Sequence, residues 1–319
     1  MRGFEWTSDR FGHANVYLSR NNINAKLGPG YLVSMDLFWQ WFVLSPQLGG
    51  GGDGILVFNH PGREDALHSV LLQIGEGVGQ ATRMAGALNA LNVFQQGDPA
   101  YAFNDFKYVA PADYRVVGIE VFGKGDEYDT DGKFGSWYGH ALDKGWYVGP
   151  AGSEDHHETN WGGANLPKTV VIARANNQAD IREAFLARRF YTVAQNENAL
   201  RMNFEAIQGN QRLPMGSRIG TQDNTVQFEV GIRSTQAMDP LQDMSFELFS
   251  SQSGPGSNDE QRYLPLQTET GKNGRFTVSP ADGKNWYFVR VKRGDRIVAV
   301  SAPIWIFKGS EPLPECKPL

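Results

Sequence analysis

Up to about residue 200, short apolar runs alternate with longer stretches of helical period. Ile55-Leu56-Val57-Phe58, Val116-Val117-Gly118-Ile119-Glu120-Val121 and Thr169-Val170-Val171-Ile172-Ala173 are short and nearly unbroken, so they read as buried strands. The first follows Gly49-Gly50-Gly51-Gly52, which reads as a flexible loop. The clearest helix is Ala179 to Arg189, where Ile181, Ala184, Phe185 and Arg188 share a face and Asn177 is placed to cap the N-terminus. Buried strands separated by helices predict a parallel sheet or an α/β barrel. Beyond residue 200 the period changes to two: Val226, Phe228, Val230 and Ile232 alternate with Gln227, Glu229 and Gly231. Shorter runs follow at Ser245–Phe249, Arg275–Val278, Tyr287–Val291 and Ile297–Val300, with Arg293-Gly294-Asp295-Arg296 as a hairpin turn. Strands at this spacing predict an antiparallel β-sandwich.

Composition narrows the picture. With 319 residues, 40% hydrophobic and 20% charged, the chain has the content of a folded protein of about two domains. The charge of -5 arises from 35 acidic and 30 basic residues, a balance that argues against nucleic acid as a partner. The most apolar run, Tyr31 to Leu44, is broken by Asp36 and Gln40 and falls short of the roughly 20 residues of a membrane helix, so no membrane span is expected. Met1-Arg2-Gly3-Phe4-Glu5-Trp6 lacks the apolar core of a secretory signal. The one cysteine, Cys316, builds neither an internal disulfide nor a multi-thiolate zinc site, so a metal here falls to His, Asp and Glu.

Among the six histidines, His60 follows an apolar strand in Phe58-Asn59-His60-Pro61, where α/β barrels place working side chains. Asp155 and His157 form an Asp-x-His pair whose side chains point the same way if the segment is extended, as shared metal ligands would. Glu5 and His13 supply a further carboxylate and imidazole at strand-like segments. A mixed His and carboxylate set suits Mn²⁺, Zn²⁺ or Fe²⁺ without choosing among them. His68 and His140 sit in helix-like surroundings and read as structural, and His156 points away from its neighbours. Asp129-Thr130-Asp131-Gly132 lacks the later Glu of a calcium loop and reads as a turn. Gly75-Glu76-Gly77-Val78-Gly79 lacks the spacing of a dinucleotide fingerprint, and there is no Gly-x-Ser-x-Gly elbow.

The ordered set Gly-Phe-Glu-Trp-Thr-Ser, Gly-His-Ala-Asn-Val, Asn-His-Pro, Gly-Ile-Glu-Val-Phe, Asp-His-His-Glu-Thr-Asn-Trp-Gly and Ala-Arg-Arg-Phe-Tyr-Thr resembles the PHP (polymerase and histidinol phosphatase) superfamily, in its carbaryl-hydrolase-like branch. The likeness covers most of residues 3 to 216, and Ser301-Ala302-Pro303-Ile304-Trp305-Ile306 resembles the end of the β-sandwich appended in that branch. It implies a distorted (β/α)7 barrel over residues 1–200, a β-sandwich over 201–308 and an extended tail over 309–319. It implies Glu5 as a bridging carboxylate, His13 and His60 as imidazole ligands, and Asp155 and His157 as the closing pair of a divalent metal site. Glu120 matches a recurrent family glutamate set inside a strand, and Arg189 matches the family's Arg before an aromatic or Thr-Tyr segment, where it is expected to face an anionic substrate, with a surface salt bridge as the alternative. The sequence contains no His-x-His, the motif that opens the superfamily. The expected barrel is therefore incomplete, with its first strands missing, and such a chain is expected to be marginal, oligomeric or aggregation-prone.

The reading that follows is a metal-dependent hydrolase of phosphate, carboxylic or carbamate esters acting through metal-activated water, with His60 or His157 assisting proton transfer and Arg189 binding the anion. Its partner is a small-molecule ester. The alternative is a truncated or degenerate, non-catalytic relative whose β-sandwich binds or merely covers, with Trp286 and Trp305 as the aromatics available to carbohydrate. A single late cysteine suits a periplasmic or secreted location.

Overall fold

The structure is a computed structural model that describes residues 2–8, 11–25, 35–61, 103–131, 135–157, 159, 161–162, 165–237, 241–251 and 263–309. His68, Gly75–Gly79, Cys316 and the tail beyond Gly309 lie outside the described residues. The chain divides into two compact units, Met1–Glu120 with Tyr128–Tyr147, and Val121–Glu127 with Val148–Leu319.

The first unit is organised by a sheet in the order β1 (Gly3–Ser8), β2 (Gly12–Tyr17), β3 (Ile55–Asn59) and β4 (Val116–Gly123). β1 and β2 are antiparallel, as are β2 and β3, while β3 and β4 run parallel. The alternation in Phe4-Glu5-Trp6-Thr7 and His13-Ala14-Asn15-Val16 gives this sheet two unlike faces. One face aligns Trp6, Ala14 and Phe58, and next to them Phe4, Val16 and Leu56. It is covered by α1 (Met35–Val43), with Trp6 against Phe38 at 4.5 Å and Phe4 against Trp41 at 5.7 Å between ring centroids. Further rings extend the cluster, Phe58 on Phe103 at 4.4 Å and Trp39 on Trp146 at 5.6 Å. Burial of such side chains, at about 1.5–3 kcal/mol each, makes this the main apolar store of the unit.

Polar groups pin this core at two places. The buried Arg115 donates through Nη1 to the carbonyls of Gly51 and Gly54, both at 3.0 Å, and through Nη2 to that of Phe42 at 2.7 Å. The Gly49–Gly52 loop, expected to be flexible, is folded back on α1: the Gly51 and Gly52 amides donate to Trp41 and Leu44, each at 2.9 Å. A Cβ on Gly50 would lie 2.2 Å from the Leu44 carbonyl oxygen, so the run of glycines serves a close backbone approach. At the second place the Asp129 carboxylate accepts from Ser136 Oγ and from the Tyr138 amide at 2.8 Å, and Ser136 accepts from Gly139. The sequence turn at Asp129 therefore anchors the start of α2 (Trp137–Asp143).

The second unit includes β5 (Asp126–Glu127), β6 (Gly149–Ser153), β7 (Lys168–Val171), α3 (Gln178–Leu186) and β8 (Phe190–Val193). α3 is capped as expected by Asn177, which accepts from the Asp180 amide at 2.9 Å. One sheet takes the order β10-β9-β12-β15, built from β9 (Leu200–Gln208), β10 (Gln211–Pro214), β12 (Val226–Ser234) and β15 (Asn273–Val278). The other runs from β11 (Arg218–Thr221) through β18 (Ile304–Lys308), β16 (Gly283–Arg293) and β17 (Arg296–Ser301) to β8 and β7. β13 (Met244–Ser250) pairs with β16 and with β14 (Gln267–Thr270). Phe204, Phe228 and Phe276 of the first sheet share one core with Phe246, Tyr287 and Ile304 of the second, a β-sandwich. β16 and β17 join at Gly294-Asp295, with Gly294 in the left-handed region at φ 59°. Trp286 and Trp305, considered above as a carbohydrate platform, are buried at 2% and 0% exposure.

These strands correct the expected incomplete (β/α)7 barrel. Among the described residues 45% are strand and 18% helix, and most of the strand pairs described above are antiparallel, with β3–β4 and β11–β18 parallel. A β/α barrel needs parallel neighbours throughout, each reached by a crossover helix. Here β1 returns directly into β2, and β7 and β8 are antiparallel although α3 lies between them in sequence. Replacing Arg115 by Met keeps the bulk of the side chain and removes the guanidinium from three carbonyls, of which that of Gly51 keeps the Gly54 amide at 2.9 Å. Arg115→Met is expected to lower stability by about 3 kcal/mol or more, read as a fall in the urea midpoint; an unchanged midpoint would refute the role given to this guanidinium.

Candidate metal centre

The face of the β1–β4 sheet opposite the aromatic core is polar. The β1–β2–β3 register aligns Thr7 with His13 and Asn59, and Glu5 with Asn15 and Val57. Glu120, one residue past Ile119, falls on this same face at β4. His60 follows the last residue of β3, with φ at 23°. Glu5, His13 and His60 each offer a donor atom, all within 4.8 Å of one another.

His60 Nε2 lies 2.9 Å from His13 Nδ1 and 4.0 Å from Glu5 Oε1, and His13 Nδ1 lies 3.5 Å from the same carboxylate oxygen. The other nitrogen of His60, Nδ1, is 3.1 Å from Glu120 Oε2, which also accepts from the His60 backbone amide at 2.6 Å. With Nδ1–H given to Glu120, a neutral His60 turns the lone pair of Nε2 toward His13 and Glu5. Asn59 Nδ2 donates to Glu5 Oε1 at 2.9 Å and fixes that carboxylate in turn. Glu120 and His60 are buried, at 1% and 6% exposure, whereas Glu5 and His13 are half-buried. The centre therefore has a dry, rigid side and a side open to solvent.

Burial opposes ionisation of Glu5, but hydrogen bonds from His13 and Asn59 and the charges of His13 and His60 outweigh it and hold the carboxyl at about 2. Tyr17, further along the polar face, is pushed up to about 12 by burial and by the negative charges of Glu120 and Glu5.

The donor set fits a divalent ion. Two imidazoles and one carboxylate are a usual shell for Zn²⁺, Mn²⁺ or Fe²⁺, and two donors each about 2.0–2.1 Å from one ion at tetrahedral angles stand about 3.4 Å apart, the middle of the spread seen here. A ligating histidine whose second nitrogen is held by a carboxylate is the usual support of such a shell.

The remaining candidates lie in the second unit. His157 Nε2 stands 3.0 Å from Asp155 Oδ1, and Lys124 holds Asp155 Oδ2 at 2.8 Å. β6 ends at Ser153 and Asp155 has φ 42°, so the pair meets in an irregular segment and not through strand alternation. Arg189, expected to face an anion, is paired with Glu183. In the first unit His140 is buried, with Nε2 2.7 Å from Asp105 Oδ1, and burial outweighs that carboxylate to push the imidazole down. Sequence reasoning did not single out Asn59, Asn15 or Tyr17, although period two from His13 places Asn15 and Tyr17 on its side of β2.

Neither a family model nor a curated protein matches the chain. The solved structures that overlap parts of it include these two. T. fusca AA10A is 12% identical with a TM-score of 0.18, over 29% of this chain and 52% of that one. A DUF3823 family protein from Bacteroides ovatus is 11% identical with a TM-score of 0.20, over 38% of this chain and 75% of that one. The chain thus spans about half the length of the first. Overlaps at these scores bear on neither fold nor function. No helix among the described residues is long and apolar enough to cross a membrane.

The depressed Glu5 fixes a sign. Because the folded carboxyl sits at about 2 against an ordinary 4.5, its stabilisation is present above pH 4.5 and is lost as pH falls toward 2. The stability of wild type and Glu5→Gln, followed by urea unfolding, is expected to differ above pH 4.5 and to converge toward pH 2; a gap independent of pH would contradict the assignment.

Proposed function

We propose that Glu5, His13 and His60 hold one divalent ion and that the chain hydrolyses small-molecule esters there. The observation that carries this reading is the convergence of their three donor atoms within 4.8 Å on a face where Glu120 orients His60 and Asn59 orients Glu5. The sequence resemblance to PHP metallohydrolases supplies the reaction class, with phosphate, carboxylic and carbamate esters as candidates. A bound divalent ion contributes Lewis-acid activation of water and neutralises charge that develops on the ester.

The protein's own groups do the rest. Glu120 keeps Nδ1 of His60 protonated, directs Nε2 into the site and raises its basicity. The second hydrogen bond to Glu120, from the His60 amide, holds the backbone where the chain leaves β3. Glu5 stays ionised at any pH above its value of about 2, so a negative ligand is always present to balance a cation. Glu5 and His13 are partly exposed, and water and substrate would approach the centre from their side.

Elemental analysis and Mn²⁺, Zn²⁺ and Fe²⁺ titration of purified protein test this reading. Wild type is expected to take up about one equivalent and to hydrolyse p-nitrophenyl esters when loaded. Glu5→Gln and His60→Ala are expected to lose the ion, and Glu120→Gln to bind it about 10- to 100-fold more weakly. Uptake unaffected by these substitutions, or none in wild type, would reject the centre; uptake without turnover of any ester would reject the hydrolase.

A further inference from the structure

The aromatic face of the β1–β4 sheet, behind the three donors, carries a strained segment. Phe103, Asn104, Asp105 and Phe106 have φ of 51, 55, 56 and 49°, a left-handed run without a glycine. Such a run persists only where its surroundings over-determine it. Two sets of contacts do so. On one side the Phe103 amide donates to the Phe11 carbonyl at 2.7 Å, and the Phe103 and Phe106 rings lie 4.4 and 5.3 Å from that of Phe58. On the other side Asp105 Oδ1 stands 2.7 Å from His140 Nε2, Oδ2 is paired with Lys144, and the Phe106 carbonyl accepts from Trp146 Nε1 at 2.7 Å. His140 and Lys144 are one turn apart at the end of α2, so one carboxylate grips one face of that helix with both oxygens.

Phe11 and Phe58 are the residues two before His13 and His60. We infer that Asp105 is a positioning residue for the Glu5–His13–His60 centre: its grip on His140 and Lys144 holds the strained segment against the two strands that deliver those histidines. The inference rests on the metal reading above for its effect on a bound ion, while the effect on the strands themselves is independent of any ion. β2 and β3 pair with Ala14 opposite Phe58 and His13 opposite Asn59, so the backbone that Phe58 packs in place is continuous with both imidazoles. Without the carboxylate the segment has less to oppose its return to relaxed φ values, which would draw the Phe103 amide from Phe11 and both rings from Phe58. The ends of β2 and β3 would then lose the packing behind the donors. Glycine at Asn104 and Asp105 removes the steric cost of the left-handed backbone, so the segment would no longer need the grip.

The test takes two readings on the full chain. Hydrogen exchange of the His60 amide, which donates to Glu120 at 2.6 Å, is followed without metal, and Co²⁺ affinity is followed by visible absorption. Asp105→Ala is expected to speed exchange about tenfold and to weaken Co²⁺ binding about tenfold. The double variant Asn104→Gly with Asp105→Gly, which also lacks the carboxylate, is expected to return both readings to within about threefold of wild type. Lys144→Met removes one arm of the grip and is expected to move both readings the same way by about threefold, which keeps the test decisive if Asp105→Ala fails to fold. Exchange in Asp105→Ala and Lys144→Met within twofold of wild type would overturn the inference. A double-glycine variant as impaired as Asp105→Ala would overturn it too, since the carboxylate would then matter through its own contacts and not through the strained backbone. If wild type takes up no Co²⁺, the metal reading fails and Asp105 positions no ion; the exchange series then decides separately whether the grip holds the strand ends.

Discussion

The candidate centre depends on one buried carboxylate. Glu120 sits inside an otherwise apolar strand, and a charge there is tolerable only when well partnered. Its Oε2 receives both the backbone amide and Nδ1 of His60, at 2.6 and 3.1 Å. The pairing holds a residue with φ 23° at the end of β3, immediately before Pro61, where relaxed backbone would lie elsewhere. It also selects the tautomer that sends Nε2 toward His13 and Glu5. Without Glu120 the other two donors would lack their third.

The sheet makes this possible by keeping its two faces distinct. Trp6, Phe58 and their neighbours bury one face against α1, and the strength of that packing fixes the register of β1, β2 and β3. The same register then aligns Glu5, His13 and Asn59 on the opposite face with no adjustment of their own. A slip of one residue would turn every ligand into the core, so the aromatic cluster is what specifies the site.

Much of this was legible in the sequence at the level of elements. β3, β4, the strands beyond residue 200, the Asn177 cap and the turn at Gly294 all carried local signals that the fold follows. The barrel was misread for a physical reason. Unbroken apolar runs such as those of β3 and β4 mark strands buried on both faces, which central strands of any sheet share with those of a barrel. The alternation in Phe4-Glu5-Trp6 and His13-Ala14-Asn15-Val16 was the signal for antiparallel edges, and it pointed away from a parallel barrel. At the site, Glu5, His13 and His60 stood out by residue type and by their places at strand-like segments, the resemblance added their roles as ligands, and their convergence is a tertiary fact. Glu120 was visible as a carboxylate in an apolar run, but only the partner across the sheet shows that it acts on His60. Asp155 and His157 were paired by their spacing, and they do meet, in an irregular segment that no alternation rule describes.

The most direct measurement is anomalous X-ray diffraction at a metal absorption edge from crystals grown with Zn²⁺ or Mn²⁺. The account predicts one strong peak bounded by His60 Nε2, His13 Nδ1 and a Glu5 carboxylate oxygen, with Glu120 still on His60 Nδ1. A metal bound elsewhere with these three side chains empty, or His60 turned away from Glu120 around the ion, would contradict it.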